Sequence, residues 1–487
     1  MEAVELLAAL LLALVVSLAI FRRSTERARH RSGAPRQPTI KVRDPAVARH
    51  ALIDQADAFS NRPPTPFPVP LITGRRRSHG ITTVAYGPHW RALRSNLTAT
   101  ILQPWRQGLL APIRREAVAS LVAELAATSG AEDAVVVVVR DSVYTAVFAM
   151  LTRVCFGDSV DEARVRSMQR MMQEFRVAIG EAKVFARSTT AKLAHWRQWR
   201  RFLAFRGEQA ALFLPLIEAA RQRRSAGSGD GSGSGVRPYV DSLVDLRVPD
   251  DEDDDAGRAT KRRALTDDEM VSLMVEFLGA VESIVACVEW TLAHLVAQPD
   301  VQTKLRHEIV NASGDGERPG RLPYLHAVVL ESLRLHPPFP LVMREVRAEG
   351  ATVGAEKVPA AGGNGVRVQF MLGDIARDAK VWADPHVFRP ERFLAGGEGE
   401  GVGLVPAGAK EIRMMPFGAG QRSCPGAALG VLYVESFLAA LVRGFEWAVP
   451  VAEGAAGDGG GVDMTELYGF ITVMKSPLRA RMTPARQ

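Results

Sequence analysis

The chain has 487 residues, 47% hydrophobic and 24% charged, a balance that excludes whole-chain disorder and supplies a large core. Its net charge of +7 is spread along the chain without zinc-finger spacing or an RNA-recognition signature, so nucleic acid is set aside as a partner. The three cysteines, Cys155, Cys287 and Cys424, lie far apart, which excludes a CxxC zinc site, argues against a disulfide framework and suits a reducing compartment.

Leu6 to Phe21 is an almost unbroken apolar run, and extended back to Ala3 it reaches the short limit for a spanning helix. Glu2 and Glu5 are acidic and lie before or near its start, whereas Arg22, Arg23, Arg27, Arg29 and Arg31 follow it, the reverse of a cleaved signal peptide. The positive-inside rule therefore predicts an uncleaved single-pass anchor over residues 1–21, touching the bilayer through 3–21, with the remainder cytosolic. Residues 22–40 read as a basic hinge carrying Ala34-Pro35-Arg36-Gln37-Pro38, and 41–487 as one large domain. Stretches rich in Gly, Ser, Glu or Asp near 225–235, 250–258, 395–405 and 453–461 are expected to be flexible surface loops.

Within the large domain, Trp90 and Arg94 stand one helical turn apart. A long helix is predicted to begin at Thr266, whose spacing to Glu269 is that of a capping box, and to run to Pro299 with an apolar middle typical of a buried central helix. It contains Gly279-Ala280-Val281-Glu282-Ser283-Ile284, small residues beside an acid and an alcohol that could relay protons. A second helix starts at Pro323 and places Glu331 and Arg334 on one face. A third starts near Pro425, and short strands are expected at 366–371 and 470–474. The fold class is thus mainly α with small β-sheets.

The segment Phe417-Gly418-Ala419-Gly420-Gln421-Arg422-Ser423-Cys424-Pro425-Gly426 carries the most chemistry. A thiolate at a helix start is favoured by free N–H groups and the helix dipole. Gly420 and Gly426 allow unusual dihedrals and close backbone approach to a flat cofactor. Arg422 is placed to pair with an acid. For a lone cysteine the default reading is an inert core residue. Here the whole pattern F-x-x-G-x-R-x-C-x-G is filled, and it resembles the haem-binding loop of the cytochrome P-450 superfamily.

That resemblance spans about Lys41 to Lys475 and is nearest in phrasing to plant microsomal members. It implies the cytochrome P-450 fold, haem held through Cys424 as axial iron ligand, and a cofactor site that includes Phe417, Gly420, Arg422 and Gly426. Trp90-x-x-x-Arg94 and Arg344 then become haem-propionate contacts, and Phe388-Arg389-Pro390-Glu391-Arg392-Phe393 supplies Arg392 to a structural triad with Glu331 and Arg334. Glu282 and Ser283 take the catalytic oxygen-activation positions, although Ala280, Ser283 and Ile284 depart from the family pattern A/G-G-x-D/E-T-T/S. Phe339, Val342, Phe470 and Ile471 become candidates for the substrate pocket. The implied function is insertion of one oxygen atom from O2 into a small hydrophobic substrate, with electrons from NADPH through a reductase, at the endoplasmic reticulum membrane. The altered 279–284 segment leaves open an isomerase or dehydratase acting on a peroxide. The segment before Trp90 is shorter than usual for the family, so an incomplete N-terminal part and a degenerate, non-catalytic haem-binding product stand as further alternatives.

Overall fold

The computed structural model describes residues 38–63, 80–129, 134–181, 194–226, 237–249, 261–312, 322–359, 365–406, 410–450 and 461–485. The expected anchor (1–21), most of the hinge (22–37) and nearly all of the loops near 225–235, 250–258 and 453–461 lie outside these residues.

The principal helices are α1 (Pro88–Leu97), α2 (Ala111–Ser129), α3 (Val139–Phe156), α4 (Glu162–Glu181), α5 (Trp196–Ser225), α6 (Asp267–Leu278), α7 (Val281–Ala297), α8 (Pro299–Asn311), α9 (Pro323–Leu335) and α10 (Ala427–Gly444). The principal strands are β1 (Thr39–Val42), β2 (Val135–Val138), β3 (Leu341–Val346), β4 (Val366–Met371), β5 (Phe445–Ala448), β6 (Glu466–Tyr468), β7 (Thr472–Met474) and β8 (Arg479–Pro484). One small sheet has the order β1-β4-β3, with β1 parallel and β3 antiparallel to β4 and Arg344 opposite Val368. A second places β8 between β2 and β5, and β6 and β7 form a hairpin.

The core forms around α7, because its sequence is apolar on every side. Each residue from Ile284 to Val296 is buried, and the helix packs against α3, α9 and α10. The stretches 267–297 and 427–444 are apolar and long enough to cross a bilayer by composition, yet more than half of each such window is buried inside the fold. Buried polar groups of α7 are tied to its neighbours: Glu289 meets Arg140 of α3 and the Leu478 N–H at 3.0 Å, and Trp290 donates to the Thr472 carbonyl at 3.3 Å. His336 stacks on Trp290 and contacts His294 at 3.0 Å and Glu466 at 2.7 Å, tying the β6–β7 hairpin to the core helix.

The single long helix expected from Thr266 to Pro299 is corrected by the structure. It divides into α6 and α7 at Gly279-Ala280, where Ala280 and Glu282 form tighter i→i+3 bonds to Phe277 and Gly279. The third helix begins at Ala427, with Gly426 as its N-cap, so Pro425 precedes the helix rather than opening it. The second strand is shorter than 470–474: Phe470 and Ile471 lie in the hairpin turn and β7 starts at Thr472. The 395–405 segment consists of successive turns, with Glu398 paired to Arg392 and Arg389.

The capping box at the start of α6 is formed: Thr266 Oγ1 accepts the Glu269 N–H and Glu269 accepts the Thr266 N–H at 2.7 Å. Arg263 donates twice to the same carboxylate at 2.8 Å. Burial opposes the charge on Glu269, but the Arg263 and Thr266 bonds outweigh it and bring its pKa from 4.5 down to about 2. A carboxylate with a depressed folded pKa stabilises the fold above its unfolded pKa and loses that contribution as pH falls through the folded value. Glu269→Gln is therefore expected to cost about 1–3 kcal/mol near neutral pH. In chemical denaturation series, the gap from the parent should narrow once pH drops below about 4.5.

Candidate active site around Cys424

The cysteine loop is closed by its own backbone. The Cys424 N–H donates to the Phe417 carbonyl at 2.8 Å, Gly418 N–H to Met415, and Ser423 N–H to Gly420 at 3.1 Å. Gly418 and Gly420 both have φ of +71°, the left-handed region open to glycine. Gly420 is doubly constrained, since a Cβ there would stand 2.1 Å from the Leu52 carbonyl oxygen. Gly426 departs from the expectation: its φ is −93° and a Cβ would meet only Leu102 Cδ2 at 3.9 Å, so it serves as an ordinary N-cap. Phe417 is half-buried and packs against the main core.

Cys424 has an accessible side chain, while Cys155 and Cys287 are buried. Burial of the surroundings still pushes the Cys424 thiol up, opposed by the Gly426 N–H and by the guanidiniums of Arg94 and Arg62. The cations around it form the distinctive feature of the site. Arg94 donates to the Ser423 carbonyl at 2.7 Å, immediately before the cysteine. Arg344 on β3 is 1% exposed and donates to the carbonyls of Met343 and, at 3.4 Å, Ala419. Burial lowers its pKa well below the ordinary value, and Arg62 and Arg422 lower it further.

Arg422 is anchored by backbone carbonyls. It donates to three carbonyls, Ser60 at 2.9 Å, Ile81 at 2.9 Å and Val84 at 2.6 Å, and so sews the cysteine loop to the segment ahead of α1. Burial, then Arg62, brings its pKa to about 10. Trp90 donates its indole N–H to the Ile81 carbonyl at 3.1 Å and offers its ring to Arg422 at 4.7 Å. Two residues absent from the sequence reading complete this arrangement. Glu276 of α6 accepts the N–H groups of Ile81 at 2.7 Å and Thr82 at 2.8 Å, and Arg62 donates to the Thr82 carbonyl at 3.2 Å. An acid inside the apolar run Val275-Glu276-Phe277-Leu278 was a signal for the first; nothing local marks the second.

Glu282 and Ser283 open α7, directly after the break. Glu282 forms an ion pair with Arg176 of α4 at 3.0 Å and contacts Tyr144 of α3, two further residues without a sequence signal. Burial raises the Glu282 pKa, partly offset by Arg176 and Arg140. Ser283 is half-buried. Of the pocket candidates, Phe339 and Phe470 meet edge-to-face at 5.5 Å and are both exposed. Val342 faces Phe370 across the sheet, with its side chain next to Gly418, and Ile471 is buried in the main core.

Glu331, Arg334 and Arg392 come together in a fully buried cluster. Arg334 makes two bonds to Glu331 at 2.7 and 2.8 Å, Arg392 reaches Glu331 at 3.2 Å, and the Arg389 N–H adds a fourth at 2.9 Å. Spare donors are spent on carbonyls, including those of Ala376, Pro385 and Asp384. Removing one partner of such a network leaves a buried charge uncompensated, a loss of about 3–5 kcal/mol.

The profile of the cytochrome P450 family matches residues 31–455. The chain belongs to the cytochrome P450 family. Cytochrome P450 89A9 of Arabidopsis thaliana is 35% identical over 463 residues, covering 93% of this chain and 85% of its own. Trimethyltridecatetraene synthase of Zea mays is 30% identical, covering 88% and 76%. Tryptamine 5-hydroxylase of Oryza sativa subsp. japonica is 26% identical, covering 91% and 81%. The same fold occurs in a zebra fish cytochrome P450 solved with progesterone, at a TM-score of 0.69 and 22% identity, over 93% of this chain and 95% of that one. This P450 is accordingly an oxidoreductase of the monooxygenase class, and its family implies a haem iron cofactor, a redox partner and a hydrophobic substrate.

The residues present fit that cofactor. A thiol accessible at the centre supplies a soft donor for iron, and guanidiniums gathered round it, two of them bonded only to carbonyls among the described residues, suit an anion bearing carboxylates. The loop geometry yields a direct test. Gly420→Ala should lose at least about 2 kcal/mol in denaturation of the full chain, because a left-handed residue gains a side chain against a carbonyl. Gly426→Ala should cost less than about 1 kcal/mol.

Proposed function

We propose that this P450 inserts one oxygen atom from O2 into a small hydrophobic substrate, using electrons from NADPH delivered by a reductase. The accessible Cys424 thiol within a cluster of arginines carries the reading. Cys424 would hold the iron, and Arg94, Arg344 and Arg422 would hold the haem carboxylates. When bound, haem iron supplies the redox chemistry that activates O2, and a thiolate ligand pushes electron density toward O–O cleavage. Glu331, Arg334 and Arg392 have an architectural role, fixing the segment ahead of the cysteine loop.

Glu282 and Ser283 move protons. Arg176, with its side chain 40% exposed, stands between solvent and the Glu282 carboxyl, which is 16% exposed. Burial raises the Glu282 pKa above the ordinary carboxylate value, and Ser283 offers a hydroxyl one residue on. Phe339 and Phe470 form an apolar wall for the substrate, with Val342 beside the cysteine loop; Ile471 supports that wall from the core. Residues 3–21 anchor the enzyme in the endoplasmic reticulum membrane with the catalytic domain cytosolic.

The test is turnover of lipophilic candidates with reductase, NADPH and isotopically labelled O2. Product should carry one labelled oxygen atom. Glu282→Gln should lower turnover on the order of 10²-fold, and Ser283→Ala should divert more NADPH to hydrogen peroxide. Turnover of organic hydroperoxides with none from NADPH and O2 would contradict the reading.

A further inference from the structure

We infer that His294 and His336 are positioning residues: a one-way hydrogen-bond chain through them holds the β6–β7 hairpin, and with it Phe470 at the turn, against α7, and acid releases that hold. The latch stands on the packing of these side chains. Its bearing on substrate rests on the Phe339–Phe470 wall proposed above.

Donor chemistry fixes the direction of the chain. His336 Nδ1 lies 2.7 Å from Glu466 Oε1, on the first residue of β6, and a carboxylate only accepts, so Nδ1 carries the proton. In a neutral His336, Nε2 is then a lone pair, and the His294 Nε2 3.0 Å away must donate to it. Ring packing leaves little freedom to rearrange. His336 stacks on Trp290 at 3.8 Å and 3°, and His294 on Phe388 at 4.1 Å and 8°. An added proton would force the reverse tautomer on His294, whose bond among the described residues is made by Nε2, and so place a buried N–H at Nδ1 without an acceptor.

The surrounding charges agree. Glu466 also accepts from the Tyr468 hydroxyl and lies 3.8 Å from Arg377, and Arg334 of α9 acts on both imidazoles. Burial opposes the charge on Glu466, but its bonds to His336 and Tyr468 outweigh that and lower its pKa. Burial, then His336 and Arg334, brings the His294 pKa down to about 3. Burial also lowers that of His336 against the pull of Glu466, helped by Arg377 and Arg334. Both imidazoles are therefore neutral while the hairpin is closed. Opening it admits water to His336, whose pKa returns toward 6.5. The hold is thus complete above about pH 6.5 and is lost as pH falls below it.

The experiment is hydrogen exchange by mass spectrometry on the full-length enzyme at pH 5.5 and 7.5, corrected for intrinsic exchange. It reads the hairpin amides, among them Thr472, bonded to the Pro338 carbonyl at 2.7 Å, and Lys475, bonded to the Thr465 carbonyl at 2.9 Å. Parent hairpin protection should be about fivefold lower at pH 5.5, with α10 unchanged. His336→Phe keeps the stack on Trp290 and loses both hydrogen bonds; its hairpin protection at pH 7.5 should be about tenfold below the parent's and should not change with pH. His294→Leu should lower protection about fivefold, and His294→Gln, whose amide donates in place of Nε2–H, should restore it to within about twofold of the parent. Equal parent protection at both pH values, a pH response in His336→Phe matching the parent's, or no difference between His294→Leu and His294→Gln overturns the inference. If His336→Phe does not fold, the parent pH comparison and the His294 pair decide. Exchange is read without substrate, so the wall fails separately: Phe470→Ala that leaves turnover unaltered, beside the expected exchange pattern, defeats the wall and keeps the latch.

Discussion

Crowding of positive charge around one accessible thiol is the constraint on which the rest of this structure depends. Arg94, Arg344 and Arg422 come from α1, β3 and the cysteine loop, and Arg62 from the segment between β1 and α1. Burial lowers the pKa of each guanidinium, and the charge of Arg62 lowers those of Arg94, Arg344 and Arg422 further. The chain tolerates this because backbone carbonyls absorb many of the donors; in the proposed reading, a carboxylate-bearing cofactor would neutralise what remains. The same carbonyls explain the tertiary design. Ser60, Ile81 and Val84 bind Arg422, while Glu276 clamps Ile81 and Thr82 from the helix on the other side. A single short segment therefore links the cysteine loop to the central helix.

In the proposed function the central helix would supply the second half of the chemistry through its interruption. A continuous α-helix would carry Glu282 and Ser283 in regular register; instead the chain tightens at Gly279-Ala280 and restarts at Val281. Glu282 then meets Arg176 and Tyr144, which connect it to α4 and α3. From Ile284 to Val296 every side chain is buried, so the rigid part of α7 and the polar part at Glu282 and Ser283 are separated along one element. Rigidity behind the site and polarity beside it are what a proton-delivering helix requires.

Much of this was legible in the sequence because it is local. The ten-residue loop around Cys424, the i,i+3 pair Glu331–Arg334 and the capping box at Thr266–Glu269 are short-range patterns whose geometry follows from helix and turn periodicity. What was not legible depends on segments far apart in the chain. The carbonyls that anchor Arg422 lie more than 330 residues away in sequence. Arg62 and Glu276 have no motif of their own, and only tertiary contact reveals what they hold. The break at Gly279-Ala280 was obscured by the apolar pattern on both sides, which reads as one helix. Unusual dihedrals were expected at both Gly420 and Gly426, yet only Gly420 has a positive φ and lies against a carbonyl.

The central claim is that the Cys424 thiolate ligates haem iron, and the absorption spectrum of the reduced, CO-treated protein tests it most directly. The account predicts a band at about 450 nm for the parent chain, lost in Cys424→Ala and retained in Ser283→Ala. A folded, haem-loaded parent protein without that band, or a Cys424→Ala variant that keeps it, would contradict the account.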